Sequence, residues 1–213
     1  SFKSMTDPRI IVAIDTYDLE EANAILDQLN PDLCKIKIGS VVYNSIGKSF
    51  LREVSSRGFK IFLDLKLHDI PNTVHEAILG FHDCVIDMLT VHLSGGEEML
   101  KKAMLAGKSI DTKVIGVSIL TSLEESDTMA LFNNKLDHQI RNLFEIAVKA
   151  NLDGVVCSPH ELEMSNTILN SDSIKITPGI RDIKARDDQA RTMSAKEAIE
   201  KGATYLVIGR PIT

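Results

Sequence analysis

Short apolar runs recur along the chain, and each is followed by a segment whose apolar residues return every three or four positions. Runs of this kind, bounded by turn-forming residues, are typical of buried strands. They predict eight strands, at 10–14, 33–38, the first half of 60–73, 88–92, 113–118, 154–157, 174–177 and 205–208. The intervening segments predict seven helices, with 124–134 as a polar connection; the helices lie at 18–29, 41–57, 74–81, 94–107, 136–150, 159–169 and 194–201.

The alternation of strands and helices sets the fold class. Strands separated by helices pair in parallel, and eight such units favour a closed (β/α)8 barrel, the TIM barrel, over an open sheet. An open doubly wound sheet is the alternative, but no glycine-rich fingerprint follows the first strand. We therefore expect residues 1–213 to form a single α/β domain of the (β/α)8 type, with the eighth helix absent from the given chain.

Composition narrows the class of function. With 44% hydrophobic and 25% charged residues among 213, the chain is typical of a globular protein with a large core. The formal net charge of -6 argues against partners that need a basic surface, so we expect no nucleic-acid and no membrane partner. A small anionic substrate stays open, because a local cluster of cations can outweigh the overall sign.

The cysteines indicate a reducing environment. Cys34, Cys84 and Cys157 include no CxxC pair, so neither a disulfide framework nor a zinc site is indicated. Cys34 and Cys157 lie in apolar runs, where a small buried residue is expected. No apolar run near the start is longer than 10–14, so we expect no signal peptide, no membrane-spanning segment and a cytoplasmic location.

The strongest chemical signal lies in 60–73, where a predicted strand gains charge at its carboxyl end. Because side chains alternate along a strand, Asp64 and Lys66 share one face there, and Asp69 follows in the next loop. A structural ion pair would explain one Asp-x-Lys pair. Three charges of alternating sign within six residues indicate a functional site instead.

Polar residues also end most of the other predicted strands. In (β/α)8 barrels the active site lies at the carboxyl ends of the strands, so these side chains are expected to converge on one mouth. Capping of exposed strand ends explains each residue singly, but it explains the whole set less well. The set is Asp15, Lys37, Asp64, Lys66, His92, Ser118, Thr121, Thr177 and Arg210.

The loops after the last two strands indicate a phosphate. Barrels of this class often hold a phosphate there, because glycine lets backbone N–H groups approach an anion and arginine donates two parallel hydrogen bonds. A turn glycine and a solvated arginine are the alternative, and their occurrence at neighbouring strand ends favours the phosphate site. These loops supply Pro178, Gly179, Arg181, Gln189, Gly209 and Arg210.

Other titratable residues carry less information. His68 and His75 have no third ligand at fitting spacing, so no metal site is predicted. His92 is expected to orient or pack rather than to act as a base. Lys35 shares the inward face of Lys37 one layer deeper, and it needs either a charged partner or a local bulge; the sequence leaves both open.

Several of these segments resemble the orotidine 5'-monophosphate decarboxylase family, and the likeness spans 10–210. The resemblance implies a cofactor-free carbon–carbon lyase of pyrimidine (UMP) biosynthesis that works as a homodimer with active sites at the subunit interface. Asp-x-Lys-x-x-Asp alone marks a wider superfamily, and the remaining motifs make the match specific. The motifs are Asp64-Leu-Lys66-Leu-His-Asp69-Ile-Pro-Asn-Thr73, Leu120-Thr121-Ser122, Thr177-Pro-Gly-Ile-Arg181 and Ile208-Gly209-Arg210.

The resemblance also implies roles for single residues. Lys66 would stabilise and then protonate the carbanion formed at C6 of the pyrimidine, within a charge array completed by Lys37, Asp64 and Asp69 of the partner subunit. Asp15, Lys37 and Thr73 of the partner subunit would hold the ribose. The base would contact Ser118 and Thr121, and the phosphate would lie among Pro178, Arg181, Gln189, Gly209 and Arg210.

Two other functions fit part of this pattern. A sugar-phosphate lyase or aldolase of the same superfamily, such as 3-keto-gulonate-phosphate decarboxylase, would need a magnesium ion. A phosphate-binding barrel without catalysis would have no use for the set of Asp64, Lys66 and Asp69. Turnover and its sensitivity to EDTA distinguish the three.

Overall fold

Eight parallel strands close into a barrel in the computed structural model, which describes residues 7–180 and 193–209. The strands follow chain order around the barrel, and β1 pairs with both β2 and β8. They are β1 Ile10–Ile14, β2 Cys34–Gly39, β3 Ile61–Leu67, β4 Met88–His92, β5 Lys113–Val117, β6 Gly154–Val156, β7 Ile174–Thr177 and β8 Tyr205–Ile208. The closed barrel confirms the predicted fold class and rules out the open doubly wound sheet.

Nine α-helices surround the barrel within the described residues. They are α1 Leu19–Asp27, α2 Ser40–Ile46, α3 Lys48–Ser56, α4 Pro71–Leu79, α5 Glu97–Ser109, α6 Glu125–Phe132, α7 Leu136–Lys149, α8 Leu162–Ile168 and α9 Ala195–Glu200. Short 3-10 helices at Leu93–Gly95 and Pro159–Glu161 precede α5 and α8. Each helix connection returns the chain to the amino end of the next parallel strand, so all strand carboxyl ends meet at one mouth.

Two helix predictions were wrong. The single helix predicted at 41–57 is two helices, because Gly47 between them adopts a φ of 85, which ends α2. The segment 124–134 contains α6, whose start is fixed by reciprocal hydrogen bonds between the side chains and backbones of Glu124 and Asp127. Its large apolar residues remain exposed, which explains why hydrophobic spacing gave no helix signal there.

The core has two layers. Inside the barrel, side chains from alternate positions pack together, among them Ile11, Phe62 and Ile176. A larger apolar layer lies between the barrel and the helices and includes Leu63 and Phe144. Because the apolar interior fills the barrel below its mouth, polar side chains on the inward face are confined to the two ends of the strands.

A buried ion network closes the amino ends of the strands. Lys35 is fully buried, and its Nζ lies 2.8 Å from Asp7 Oδ1 and 2.7 Å from Asp87 Oδ2. The same nitrogen lies 4.1 Å from the ring centroid of Tyr205, whose hydroxyl donates to Asp7 Oδ2 at 2.6 Å. Burial alone would lower the pKa of Lys35, but hydrogen bonds to the two carboxylates raise it. Of the two options for Lys35, the structure shows a charged partner.

Two of the three cysteines are buried, which confirms the prediction from their apolar surroundings. Cys34 and Cys157 are buried and unpaired, and burial raises the pKa of the Cys157 thiol to about 12, so it is unreactive. Cys84 is half-buried and also free.

Within the two described ranges, no helix has the length and apolar character needed to cross a membrane. The cytoplasmic location stays a prediction.

Candidate active site

Asp64 and Lys66 lie together at the carboxyl end of β3, as strand alternation predicted. Lys66 Nζ is 2.9 Å from Asp64 Oδ2, and Lys37 Nζ, from the neighbouring strand β2, is 3.4 Å from the same oxygen. Asp64 is only 8% exposed, whereas both lysines are partly open to solvent. One buried carboxylate therefore holds two ammonium groups, and these three side chains carry a net charge of one positive unit.

The Asp64 carboxylate is ionised at neutral pH. Burial alone would raise its pKa, but the charges of Lys66 and Lys37, with hydrogen bonds from Lys66 and Thr90, lower the pKa below its ordinary value of 3.8. A fixed anion beneath two cations is a preorganised electrostatic environment, since neither lysine needs to find its partner during a reaction.

An irregularity in the sheet underlies this arrangement. Strands β3 and β4 pair at Leu63 with Leu89 and again at Leu67 with Val91, so three residues of β3 lie opposite one residue of β4. Within this bulge Lys66 has a φ of 50, a left-handed conformation that is uncommon for residues other than glycine. Bulges often reorient a side chain next to an active site.

Thr90 is the single residue of β4 opposite the bulge, and the sequence did not reveal its role. Its side chain is fully buried, its hydroxyl accepts a hydrogen bond from the Lys66 backbone N–H at 2.9 Å, and it donates to Asp64 Oδ1 at 2.8 Å. A threonine within an apolar run is ordinary for a strand. No spacing rule connects it to a carboxylate 26 positions earlier.

Two histidines border the array. The rings of His68 and His92 lie 5.4 Å apart between centroids, tilted by 49°. Burial, with the nearby charges of His68 and Lys66, lowers the pKa of His92. Because this shift favours the neutral ring at pH 7, His92 adds no third cation at the mouth, and its packing role stays a prediction.

Four other predicted residues lie around the mouth at different depths. Asp15 follows β1 and is exposed, while Ser118 follows β5 and is buried. Thr121 is exposed and lines a groove of about 710 Å³ between the loops that follow β5 and β6 and helix α7. Thr73 is exposed in the first turn of α4.

Asp69 does not join the array within its own chain. It is exposed in the loop after β3, and its Oδ1 accepts a hydrogen bond from the Ile70 backbone N–H at 2.7 Å. Among residues 7–180 and 193–209 it makes no ion pair. The structure thus brings together Lys37, Asp64 and Lys66, but not Asp69.

The predicted phosphate loops are described in part. Gly179 has a φ of 75, which favours glycine, and a Cβ at Gly179 or at Gly209 would meet no described atom within 4 Å. Packing among described atoms therefore does not require glycine at 209. Pro178 immediately precedes Gly179, whereas Arg181, Gln189 and Arg210 lie outside the described residues.

One residue was wrongly placed at the mouth. Thr177 pairs with Leu206 of β8, and Leu206 belongs to the apolar layer between barrel and helices. Because paired residues on adjacent strands point to the same face of a sheet, Thr177 also points toward the helices. Thr177 is fully buried on that outer face. Its final position in β7 suggested the mouth, but alternation directs its side chain toward the helices.

The donor set does not suit a divalent cation. No group of three or more His, Cys, Asp or Glu side chains that could hold a metal ion occurs within 7–180 and 193–209. The buried carboxylate at the mouth already faces two ammonium groups, which repel a further cation.

Comparison with known proteins assigns a family to this geometry. A model of the family described as Orotidine 5'-phosphate decarboxylase / HUMPS family matches residues 8–213. The chain belongs to this family. Members named orotidine 5'-phosphate decarboxylase are carbon–carbon lyases, so the resemblance is confirmed and the chain is an enzyme of that class.

Individual members of the family align with nearly the whole of this chain. Orotidine 5'-phosphate decarboxylase from Actinobacillus succinogenes is 42% identical over 97% of this chain and 91% of its own length. The protein of the same name from Coxiella burnetii is 41% identical over 97% of this chain and 90% of its own length. The crystal structure of that decarboxylase from Lactobacillus acidophilus superposes with a TM-score of 0.85 at 33% identity, covering 97% of this chain and 92% of the other.

Proposed function

We propose that this protein decarboxylates orotidine 5'-monophosphate to uridine 5'-monophosphate in pyrimidine biosynthesis, with no metal ion or organic cofactor. The observation that carries the proposal is the Lys66 ammonium held 2.9 Å from the ionised Asp64 carboxylate at the barrel mouth. The names of the curated relatives support the choice of substrate.

The reaction needs a fixed cation and a proton donor at one carbon atom. When the bond between C6 and the carboxylate breaks, CO2 leaves and the electron pair stays on C6, where no carbonyl is placed to delocalise it. Lys66 supplies the cation next to this carbanion and then transfers an Nζ proton to C6. Solvent reprotonates the neutral amine, so atoms and charges balance over one turnover.

Asp64 and Lys37 would position this lysine. Both ammonium groups bind Asp64 Oδ2, and Thr90 binds Oδ1, so neither oxygen is free to rotate away. A preorganised array of this kind avoids the cost of reorienting solvent dipoles during the reaction. Lys37 lies at the edge of the array and, with Asp15, would hold the ribose.

The rest of the substrate would extend from the array toward the later strands. Ser118 and Thr121 would contact the pyrimidine, and the loops bearing Pro178 and Gly209 would receive the phosphate together with Arg181, Gln189 and Arg210. The positive φ of Gly179 supports this position, because a glycine in that conformation can bring backbone N–H groups close to an anion. Binding of the phosphate, far from the reacting carbon, could then be used to favour the transition state.

A homodimer would complete the array. Within one chain the mouth has two lysines and one aspartate, and Asp69 of the partner subunit would supply the missing negative charge, with Thr73 of the partner subunit reaching the ribose. Exposed apolar residues lie after three consecutive strands: Tyr17 is 80% exposed, Val41 50% and Ile70 66%. Grouped apolar exposure on one side of the mouth is typical of a subunit contact.

Mixing two inactive dimers tests the shared site. Lys66→Ala and Asp69→Ala homodimers should each be nearly inactive, whereas exchanged heterodimers contain one site with both native residues. We expect recovery of up to about a quarter of wild-type activity by random exchange, since half of the dimers would carry one intact site. No recovery, with subunit exchange confirmed by mass spectrometry, would contradict a shared site.

Turnover of the proposed substrate tests the function itself. Purified protein is mixed with orotidine 5'-monophosphate, and the loss of its absorbance is followed with and without EDTA. We expect turnover that EDTA does not change. Turnover abolished by EDTA and restored by Mg²⁺ would favour a magnesium-dependent lyase of the same superfamily. No turnover by folded dimers would leave a binding barrel as the better account.

A further inference from the structure

We propose that Thr90 is a positioning residue for this reaction, whose one hydroxyl fixes both the direction of the Asp64 carboxylate and the backbone conformation of Lys66. The inference rests on the proposed function for its consequences in catalysis. Its geometric content, that one hydroxyl bridges the two members of the ion pair, stands on the structure alone.

The need for such a residue comes from the broken ladder between β3 and β4. Three residues of β3, from Asp64 to Lys66, lie opposite one residue of β4, so regular strand pairing is interrupted where the ion pair is built. A buried backbone N–H without a partner is costly. The Thr90 hydroxyl accepts from the Lys66 N–H and thereby replaces the ladder acceptor.

The same bond holds an unfavourable backbone conformation. Lys66 has a φ of 50, and such residues persist only where their surroundings determine them. The left-handed backbone sets the direction from which the Lys66 side chain leaves the strand. Without the Thr90 acceptor, the backbone at Lys66 is free to return toward an extended conformation, and its ammonium would move relative to the substrate.

Thr90 also determines which partner each Asp64 oxygen binds. The Thr90 hydroxyl accepts a hydrogen bond from the Lys66 backbone N–H. The hydroxyl proton therefore points to Asp64 Oδ1, 2.8 Å from the Thr90 oxygen. Oδ2 is then left for Lys66 and Lys37. Rotation of the carboxylate would exchange these roles, and the fully buried threonine prevents it.

Two substitutions separate the hydroxyl from the shape of the side chain. Thr90→Val keeps the branched shape and removes the hydroxyl, while Thr90→Ser keeps the hydroxyl. Thr112→Val is the matched control, because Thr112 is also buried and its hydroxyl donates to the Ile86 backbone carbonyl at 2.8 Å, before β5 at the amino end of the barrel. All three variants are measured in the 213-residue chain, with kcat and KM for orotidine 5'-monophosphate and with chemical denaturation.

We expect Thr90→Val to lower kcat by about 10- to 100-fold, as loss of one positioning bond in a preorganised site does, with KM changed by less than about threefold. Thr90→Ser should stay within about threefold of wild type. Thr112→Val should lose stability without losing kcat. Since the Thr90 hydrogen bond helps to lower the pKa of Asp64, Thr90→Val should also move the acid limb of the kcat/KM profile to higher pH.

Unchanged kcat in folded Thr90→Val, or an equal loss in Thr112→Val, would overturn the inference. If Thr90→Val does not fold, Thr90→Ala takes its place with the same expectations. A ¹³C NMR titration of the Asp64 carboxyl, without substrate, should show a higher pKa in the variant than in wild type. That titration decides the positioning role even if wild-type protein shows no turnover, and an unchanged titration would overturn it.

Discussion

Strand β2 places two lysines on the inner face of the barrel, two residues apart, in opposite electrostatic settings. Lys35 at the amino end has two carboxylates within 2.8 Å and an aromatic ring beside it. Lys37 at the mouth shares a single carboxylate with Lys66, and its distance to that carboxylate is longer, at 3.4 Å. The two lysines differ in their ratio of cations to anions as well as in burial, and we propose a structural role for Lys35 and a functional one for Lys37.

This difference has a physical consequence for each end. At the amino end, the charge of Lys35 is compensated within the protein, so the network seals the barrel and offers nothing to a ligand. At the mouth, one positive unit is left over within a single chain among Lys37, Asp64 and Lys66, which is the charge that we propose Asp69 of the partner subunit balances, and both lysines are partly exposed. Two predictions on single lysines and one on pH sharpen this contrast.

The largest effect is expected at the mouth. We expect Lys66→Ala to lower kcat by about 10³-fold or more, because both the proton donor and the cation beside C6 are removed. Binding of uridine 5'-monophosphate should persist, and the unfolding transition should shift little. Lys102→Ala, on the exposed face of α5, is the control and should behave as wild type. Activity of Lys66→Ala within a few-fold of wild type would remove its assigned role.

A loss of stability is expected at the amino end. Lys35→Met should lower the free energy of unfolding by about 3 kcal/mol, because it leaves Asp87, only 18% exposed, without its cation. Activity per folded molecule should remain near wild type. Lys113→Met, on the exposed start of β5, is the matched control, with a change within about 0.5 kcal/mol. Urea denaturation measures both, and equal stability of the two variants would contradict the structural role.

The smallest effect is a pH dependence. Partial burial would raise the pKa of Asp7, but hydrogen bonds from Lys35 and Tyr205 and the charges of Lys35 and Lys60 lower it from 3.8 to about 2. A lowered folded-state pKa contributes stability above about pH 4 that is lost as pH falls toward 2. Because Asp7 is 55% exposed, screening limits this to about 1 kcal/mol. Asp7→Asn should reduce the acid sensitivity between pH 4 and 2, and an unchanged slope would contradict it.

The sequence predicted the barrel and most of the mouth because both follow from regular spacing of residues: apolar residues recur every three or four positions in helices, and side chains alternate between the two faces of a strand. Four of the eight strands, β1, β4, β7 and β8, have the bounds predicted from apolar runs, and alternation placed Asp64 beside Lys66. Alternation also gave the inward direction of Lys35, but its carboxylate partners lie at 7 and 87, too far along the chain for any local rule. Contacts of that kind depend on the closed barrel.

The parts that were missed are departures from that regular spacing. The bulge at Lys66 and the bridging hydroxyl of Thr90 interrupt strand pairing, and no residue type in 60–73 signals a left-handed conformation at a lysine. The break at Gly47 divides one amphipathic pattern into two helices. The direction of Thr177 was wrong because its place at the end of a strand was given more weight than its position in the alternation.

The most direct test compares the two lysines of β2 in one experiment. Lys37→Met and Lys35→Met are measured side by side for the free energy of unfolding and for kcat/KM with orotidine 5'-monophosphate. We expect Lys37→Met to unfold within about 1 kcal/mol of wild type, since Asp64 keeps Lys66 and Thr90, and to lose about 100-fold in kcat/KM. Lys35→Met should instead lower the free energy of unfolding by about 3 kcal/mol and leave kcat/KM per folded molecule near wild type. Equal loss of stability in both variants, with activity per folded molecule unchanged in Lys37→Met, would contradict the account.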